Sequence, residues 1–137
     1  MVVLAIAGLL VALAVPNSLR FYTAMQAREA ARTSVAILRD ARERALSGGR
    51  IQDVQVRPVA RRIWSERHDY QAPESLRVMV HGAAELNHAD VGVIRFYPEG
   101  GASGGGIDLW REDGTGTAIA VDWLAGRVSL HALPDAR

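Results

Sequence analysis

Few side chains in this sequence are grouped as catalysis would need them. The run Gly100-Gly-Ala-Ser-Gly104-Gly-Gly106 has the composition of a phosphate cradle. A phosphate loop, however, ends in Gly-Lys-Ser/Thr and opens a helix. This run leads instead into Ile107-Asp-Leu-Trp110, a strand pattern, and reads as a hairpin loop. Asp108, Glu112, Asp113 and Asp122 lie close in sequence, and carboxylates so placed can hold calcium or flank a glycosidic bond. They lack the alternating spacing of a calcium loop, so solvated turn positions are predicted. His68, His81, His88 and His131 are scattered without paired ligand spacing, which predicts no metal site. Ser103 has no Gly-x-Ser-x-Gly frame and no implied base. No catalytic residue, metal or cofactor is predicted. Trp64, Trp110 and Trp123 fall on strand patterns and read as core or sheet-face residues. One exposed Trp would reopen the question of a base-stacking platform.

Composition removes further classes. All sixteen basic residues are arginine, and without lysine there is neither Schiff-base chemistry nor a phosphate-loop lysine. Without cysteine there is no disulfide frame, no thiol nucleophile and no Cys zinc site. The formal net charge of +1 gives no global reason to expect nucleic acid or an acidic partner.

What remains to be explained is apolar. Residues 1–15 carry no charge and no strong hydrogen-bonding side chain. Leu4, Ile6, Leu9, Leu10 and Leu13 would each forfeit roughly 1.5–3 kcal/mol if left in water. A helix of that run covers about 22 Å at about 1.5 Å per residue, against about 30 Å for a bilayer's hydrocarbon core. The preferred expectation is a longer apolar helix that begins upstream of Met1; a helix dipping in from one side is the other. A secretory signal is a competitor, because Ala12-Leu13-Ala14 has the small-x-small form of a cleavage site. No Lys or Arg precedes the run, however, and helical character continues past that cut. A buried core helix would need more surrounding structure than a chain of this size supplies.

After Pro16, where a helix loses a hydrogen bond and can kink, the pattern stays helical to Leu46, with Ser47-Gly48-Gly49 as the stop. Ala24, Ala27, Ala31, Val35, Leu38 and Ala45 recur at helical steps and define one apolar face. Glu29 with Arg32 and Arg39 with Glu43 are spaced for intrahelical pairs. From Ile51 onward the period becomes two. Seven short strands are predicted, at 54–56, 62–64, 76–80, 91–97, 107–110, 117–121 and 127–130, with Pro58, Pro73 and Pro98 at or between strand ends. The gaps are too short for helical crossovers, so antiparallel meanders are the default. The predicted architecture is α+β: one long N-terminal helix packed on an antiparallel sheet domain. Residues 1–16 form the apolar membrane or filament-core segment, and residues 17–137 the globular domain with the amphipathic half of the helix.

These features resemble the type IV pilin superfamily, whose subunits combine an apolar helix, an amphipathic arm and a sheet domain. The C-terminal half resembles a subgroup more narrowly. Ile94-Arg-Phe96-Tyr-Pro98-Glu-Gly100-Gly-Ala-Ser-Gly104-Gly105-Gly-Ile107-Asp-Leu109 and Ala120-Val-Asp-Trp-Leu-Ala-Gly126-Arg127-Val128 are similar to the GspH/FimT group, the H-type minor pseudopilins of type II secretion. Members carry a Phe-Thr-Leu-Ile-Glu type stretch, preceded by a Gly-ending leader, ahead of the residues matching Met1-Val-Val-Leu4. The DNA upstream of Met1 is therefore expected to encode both, and the resemblance implies N-methylation of a mature terminus outside this numbering.

The resemblance also implies a structural role without catalysis. The subunit would be stored in the bacterial inner membrane as a single-pass protein with its C-terminal domain in the periplasm. Its partners would be inner-membrane lipid, an inner-membrane assembly platform and other major and minor pseudopilins through helix packing. The small residues Ala5, Ala7, Gly8, Ala12 and Ala14 would let neighbouring helices approach. The product would be a short pseudopilus, with this subunit near the tip, that helps drive folded exoproteins across the outer membrane. The alternative within the group is a FimT-like minor type IV pilin that binds DNA in natural transformation. Those carry Gly-Arg-x-Arg, whereas Gly126-Arg127-Val128-Ser129 keeps the first arginine alone, so a DNA partner ranks second. A second arginine cluster beside Arg127 on the folded surface would favour DNA.

Overall fold

The computed structural model describes residues 1–135, Asn17 by its backbone alone. One helix, α1 (Val2–Gly48), precedes eight strands: β1 (Gln52–Arg57), β2 (Arg62–Trp64), β3 (Asp69–Gln71), β4 (Leu76–His81), β5 (Gly92–Phe96), β6 (Gly105–Arg111), β7 (Gly116–Val121) and β8 (Val128–Leu133). The helix is assigned without a break through Pro16 and stops where the glycines predict. Gly49 adopts the left-handed conformation and its N–H donates to the Ala45 carbonyl, a C-terminal cap.

Burial along α1 begins only in its second half. Ala31, Val35, Leu38 and Ala45 are buried as their spacing predicts, while Ala24 and Ala27 are partly covered. Ala30, Ser34, Ile37 and Ala41 widen the buried stripe. Ser34 reaches the core because its hydroxyl donates to the Ala30 carbonyl at 2.8 Å, so nothing polar is left unpaired. Neither predicted intrahelical ion pair forms among the described residues. Asp40 instead meets His68 Nε2 at 3.1 Å, and Arg44 meets Glu66 at 3.4 Å. Exposed pairs gain only about 0.2–1 kcal/mol, so little holds Glu29 to Arg32 or Arg39 to Glu43.

The strands form two antiparallel sheets, ordered β3-β2-β1-β5 and β4-β6-β7-β8. All pairings are antiparallel, and β1-β2-β3 and β6-β7-β8 are meanders as expected, but β4 and β5 depart from that order. β1 pairs with β5, Val54 opposite Ile94, although three strands intervene in sequence, and β4 leaves to edge the second sheet. The strand beyond the seven predicted is β3, a polar three-residue edge paired with β2. The apolar faces of both sheets close on α1 around Leu38, Ile63, Ile94, Phe96, Ile107, Leu109 and Ile119. Burying each such side chain stabilises the fold by about 1.5–3 kcal/mol.

The glycine-rich run is not the loop of a hairpin between paired strands. Ala102 bridges Phe96 and the Ser103 N–H donates to the Arg95 carbonyl, so the chain first folds back along β5. It then changes sheet and becomes β6. Gly105 makes the crossing possible: its φ is 105°, and a Cβ there would lie 2.1 Å from the His81 carbonyl oxygen of β4. On the outer faces, Arg95 donates from Nε and its terminal nitrogen to the Asp53 carboxylate at 2.7 and 2.9 Å. Arg62 grips Asp69 likewise and holds that carboxyl below its usual range.

Candidate functional site: an apolar rod and an arginine-lined distal cleft

The first third of α1, residues 2–16, is exposed throughout, while Leu19 and Arg20 already line a cavity with Ser75, Arg111 and Asp113 of the sheet domain. Leu4 is 74 % and Leu13 66 % exposed, and Ile6, Leu9 and Leu10 are exposed with them. A Cβ added at Gly8 would meet no atom within 4 Å. The bare apolar surface passes the predicted boundary at residue 16, because Leu19, Phe21, Tyr22 and Met25 are also exposed. Thr23 is the first partly buried position, and full burial starts at Ala30. The helix is long and apolar enough to cross a membrane.

At the opposite end of the helix the two C-terminal motifs lock together. Phe96 is fully buried, and after Pro98 the Gly100 N–H donates to the Tyr97 carbonyl. The Ala102 N–H then donates to the Trp123 carbonyl at 2.9 Å, which joins the glycine-rich run, with Gly104 packed against Trp123, to the β7–β8 turn. That turn is closed by Asp122, which accepts from the Ala125 N–H through its side chain and from the Gly126 N–H through its carbonyl. Arg42 of α1 donates from Nε and a terminal nitrogen to the Ala125 carbonyl at 3.3 and 3.1 Å. Gly126 has φ 61°, and a Cβ there would lie 2.8 Å from the Gly100 carbonyl oxygen and 3.3 Å from Arg42 Nε. Gly126 therefore permits the close approach of the turn to Gly100 and Arg42.

Beside this joint lies a cleft of about 340 Å³ lined by Arg39, Arg42, Glu43, Ala125, Arg127 and Val128. Arg127 is exposed and has no ion-pair partner among the described residues. Sequence reasoning missed that Arg39 and Arg42 stand next to it. Their three-residue spacing puts them on one helix face, but only the folded β7–β8 turn brings Arg127 there.

The remaining candidates fall apart as chemistry. Asp108 is a strand residue facing His81 Nε2 at 2.7 Å rather than a turn residue. Asp113 does sit in a turn, its carboxyl held below the usual range by bonds from the Thr115 hydroxyl and N–H. Glu112 beside it is exposed. His68 faces Asp40, His131 faces Ser129, and His88 bridges Val91 through its backbone. Among the described residues no three metal-ligating side chains converge. The Ser103 hydroxyl accepts from the Arg95 N–H at 3.0 Å and clasps the turn. Trp64 is flanked by Arg57 and Arg62, and Trp110 covers Gly116. Trp123 departs from the prediction. It lies in the β7–β8 turn, not on a strand, and is 67 % exposed beside Leu124 at 69 %.

A bare apolar rod continuous with a helix that docks across two antiparallel sheets defines a type IV pilin-like subunit. The solved structures agree with that class. The minor pseudopilin EpsH from the Vibrio cholerae type 2 secretion system matches with a TM-score of 0.62 at 14 % identity, over 78 % of this chain and 97 % of that one. The type IV minor pilin FimU of Pseudomonas aeruginosa matches at 0.62 and 18 % identity, over 85 % and 99 %. No protein-family model matches the sequence. Type II secretion system protein H of Xanthomonas campestris pv. campestris is 32 % identical over 128 residues, which cover 91 % of this chain and 73 % of the relative. The chain belongs to the type II secretion system protein H family.

Proposed function

We propose that this chain is a structural minor pseudopilin that assembles near the tip of a periplasmic pseudopilus and helps drive folded exoproteins across the outer membrane, with no catalytic step of its own. The observation that carries the reading is the rod: an apolar helix surface with no cover in its own chain, rigidly continuous with a finished domain. Lipid covers such a surface in the inner membrane, and neighbouring pseudopilin helices cover it in a filament. Extraction exchanges one apolar environment for another at little cost, which suits a subunit stored in the membrane with its domain in the periplasm and handed over by an assembly platform. Gly8 tests the exchange. A phenylalanine there meets nothing within the chain, so Gly8→Phe leaves the domain folded while holding neighbouring helices apart. Secretion in cells that depend on this chain should fall at least tenfold at unchanged protein level. Normal secretion would count against lateral packing of the rod.

One observation favours a second reading, a DNA-binding minor pilin. Arg39 and Arg42 join Arg127 at one cleft, and Trp123 is exposed nearby. Against it, Glu43 lines the same cleft and the chain's net charge is +1. Nonspecific affinity grows with the number of phosphates neutralised, so three arginines and a carboxylate predict weak, salt-sensitive binding that Arg127→Ala barely changes. Sub-micromolar DNA binding at about 150 mM salt, abolished by Arg127→Ala, would establish the second reading instead.

A further inference from the structure

The cleft is one end of a longer feature. Arg28, Arg32, Arg39 and Arg42 recur at steps of four, seven and three residues, which places them along one flank of α1. The flank follows β8. Arg28 shares a cavity with Ala132 and Leu133 near the end of that strand, and Arg39 and Arg42 share the cleft with Arg127 and Val128 at its start. The row is about 21 Å long at about 1.5 Å per residue. Arg28, Arg32, Arg39 and Arg127 are exposed, and none of their side chains forms a hydrogen bond or ion pair with a described residue. Elsewhere arginines are paired, Arg44 with Glu66, Arg57 with Asp90, Arg62 with Asp69, Arg95 with Asp53 and Arg111 with Asp113. Arg20, Arg61, Arg67 and Arg77 form no ion pair with a described residue but stand apart from one another in sequence, on different elements and loops. Only on this flank do unpaired arginines among the described residues form a row along one helix of a nearly neutral chain.

Two further observations mark that flank as a contact surface. β8 is the outer strand of its sheet, so half of its backbone N–H and C=O groups have no sheet partner. At the top of the flank Trp123 and Leu124 stand exposed. A large aromatic beside arginines is the composition that anchors protein–protein interfaces.

We infer that the α1–β8 flank docks the carboxylate-bearing face of a neighbouring filament subunit, with the arginine row pairing its acids and Trp123–Leu124 forming the apolar anchor. The inference rests on the proposed pseudopilus reading: a neighbour packed laterally on the rod is carried up alongside the same helix, and Arg28 lies two turns above Phe21. A folded protein fits better than a polyphosphate. The row is a single file, with Glu29 and Glu43 beside it on the helix and Asp122 at its upper end. These carboxylates repel a continuous phosphate backbone, whereas a protein surface can place its own charges between them.

The test uses the full chain in cells whose type II secretion depends on it. A photocrosslinking residue at position 32 or 39 should yield a nuclease-resistant adduct with a pilin-fold subunit, identified by peptide mass and attached within two residues of an Asp or Glu. The same probe at position 77, on β4 at the far edge of the second sheet, should yield none. The double variant Arg32→Glu/Arg39→Glu should lower secretion at least tenfold at unchanged protein level, and Arg32→Lys/Arg39→Lys should restore most of it. An adduct that nuclease removes, or equal adducts from positions 32 and 77, would overturn the inference. If the glutamate variant does not accumulate, the crosslinks decide. Normal secretion by the glutamate variant alongside failure of Gly8→Phe would sink the docking flank and leave the pseudopilus reading standing. Normal secretion by both would remove that reading as well.

Discussion

The two halves of α1 share one conformation and obey opposite rules. Between Val2 and Tyr22 the apolar side chains point in every direction and none is covered. Between Thr23 and Gly48 they narrow to a stripe, and charge occupies the rest of the circumference. Apart from the one bond that Pro16 cannot donate, both halves are continuous α-helix, so helix formation alone does not distinguish them. The difference lies in what removes water from the side chains. For the upper half it is this chain's own sheets; the apolar side chains of the lower half are left exposed by the described residues. A single continuous helix thereby joins a buried stripe to an exposed apolar surface.

Truncation breaks that comparison most severely. Removal of residues 1–20 takes away much of the uncovered surface and leaves every fully buried helix residue in place, because burial begins at Ala30. The shortened chain should be a soluble monomer by gel filtration, while the full chain requires detergent. Aggregation of both to the same extent would show that the halves are not separable.

Substitution sharpens the contrast. Leu38 is fully buried against the sheets and Leu10 is bare. Leu38→Ala should lower unfolding stability by about 2–5 kcal/mol through lost burial and a cavity. Leu10→Ala should change it by under about 0.5 kcal/mol, as exposed substitutions do. Denaturant melts of the two variants in the same detergent compare them directly, and equal losses would refute the division.

The smallest expected difference involves matched hydroxyls. Ser18 and Ser34 each donate to the carbonyl four residues back, at 3.0 and 2.8 Å, one exposed and one buried. Ser34→Ala should cost about 1 kcal/mol, the net value of a satisfied buried hydrogen bond, and Ser18→Ala nothing measurable in the same melts. A larger effect at Ser18 would mean that the lower half has cover within its own chain.

Periodicity made the helix and its stop legible, because three- and four-residue spacing and the Gly48-Gly49 pair act locally. The period of two located seven strands for the same reason. β3 escaped because Asp69-Tyr-Gln71 pairs only at an edge and leaves its polar side chains in water. The division into two sheets was not legible, since the pairing of β1 with β5 depends on how the intervening strands pack. Trp123 read as a strand residue because it follows the strand pattern ending at Val121; the chain turns at Asp122, whose carboxylate takes the Ala125 N–H. Of the candidate site, the apolar run and the glycines could be read from the sequence. The arginine row could be read only in part, because helical spacing aligns its members but the fold supplies β8 and Arg127.

The interleaved strand order also governs the sequence in which the domain assembles. β6, β7 and β8 are joined by short turns, so their pairing closes small loops at low entropic cost. β1 can pair at once with the adjacent β2, but its other edge must wait, because β5 lies beyond β2, β3 and β4 in the chain. Contacts so distant in sequence form late. Val54 and Val56, which end fully buried, stay open along one strand edge until Gly92–Phe96 arrives. A nascent chain halted before Gly92 therefore carries an unfinished edge with apolar side chains beside it, and that interval is when the protein is most vulnerable to pairing with the wrong strand.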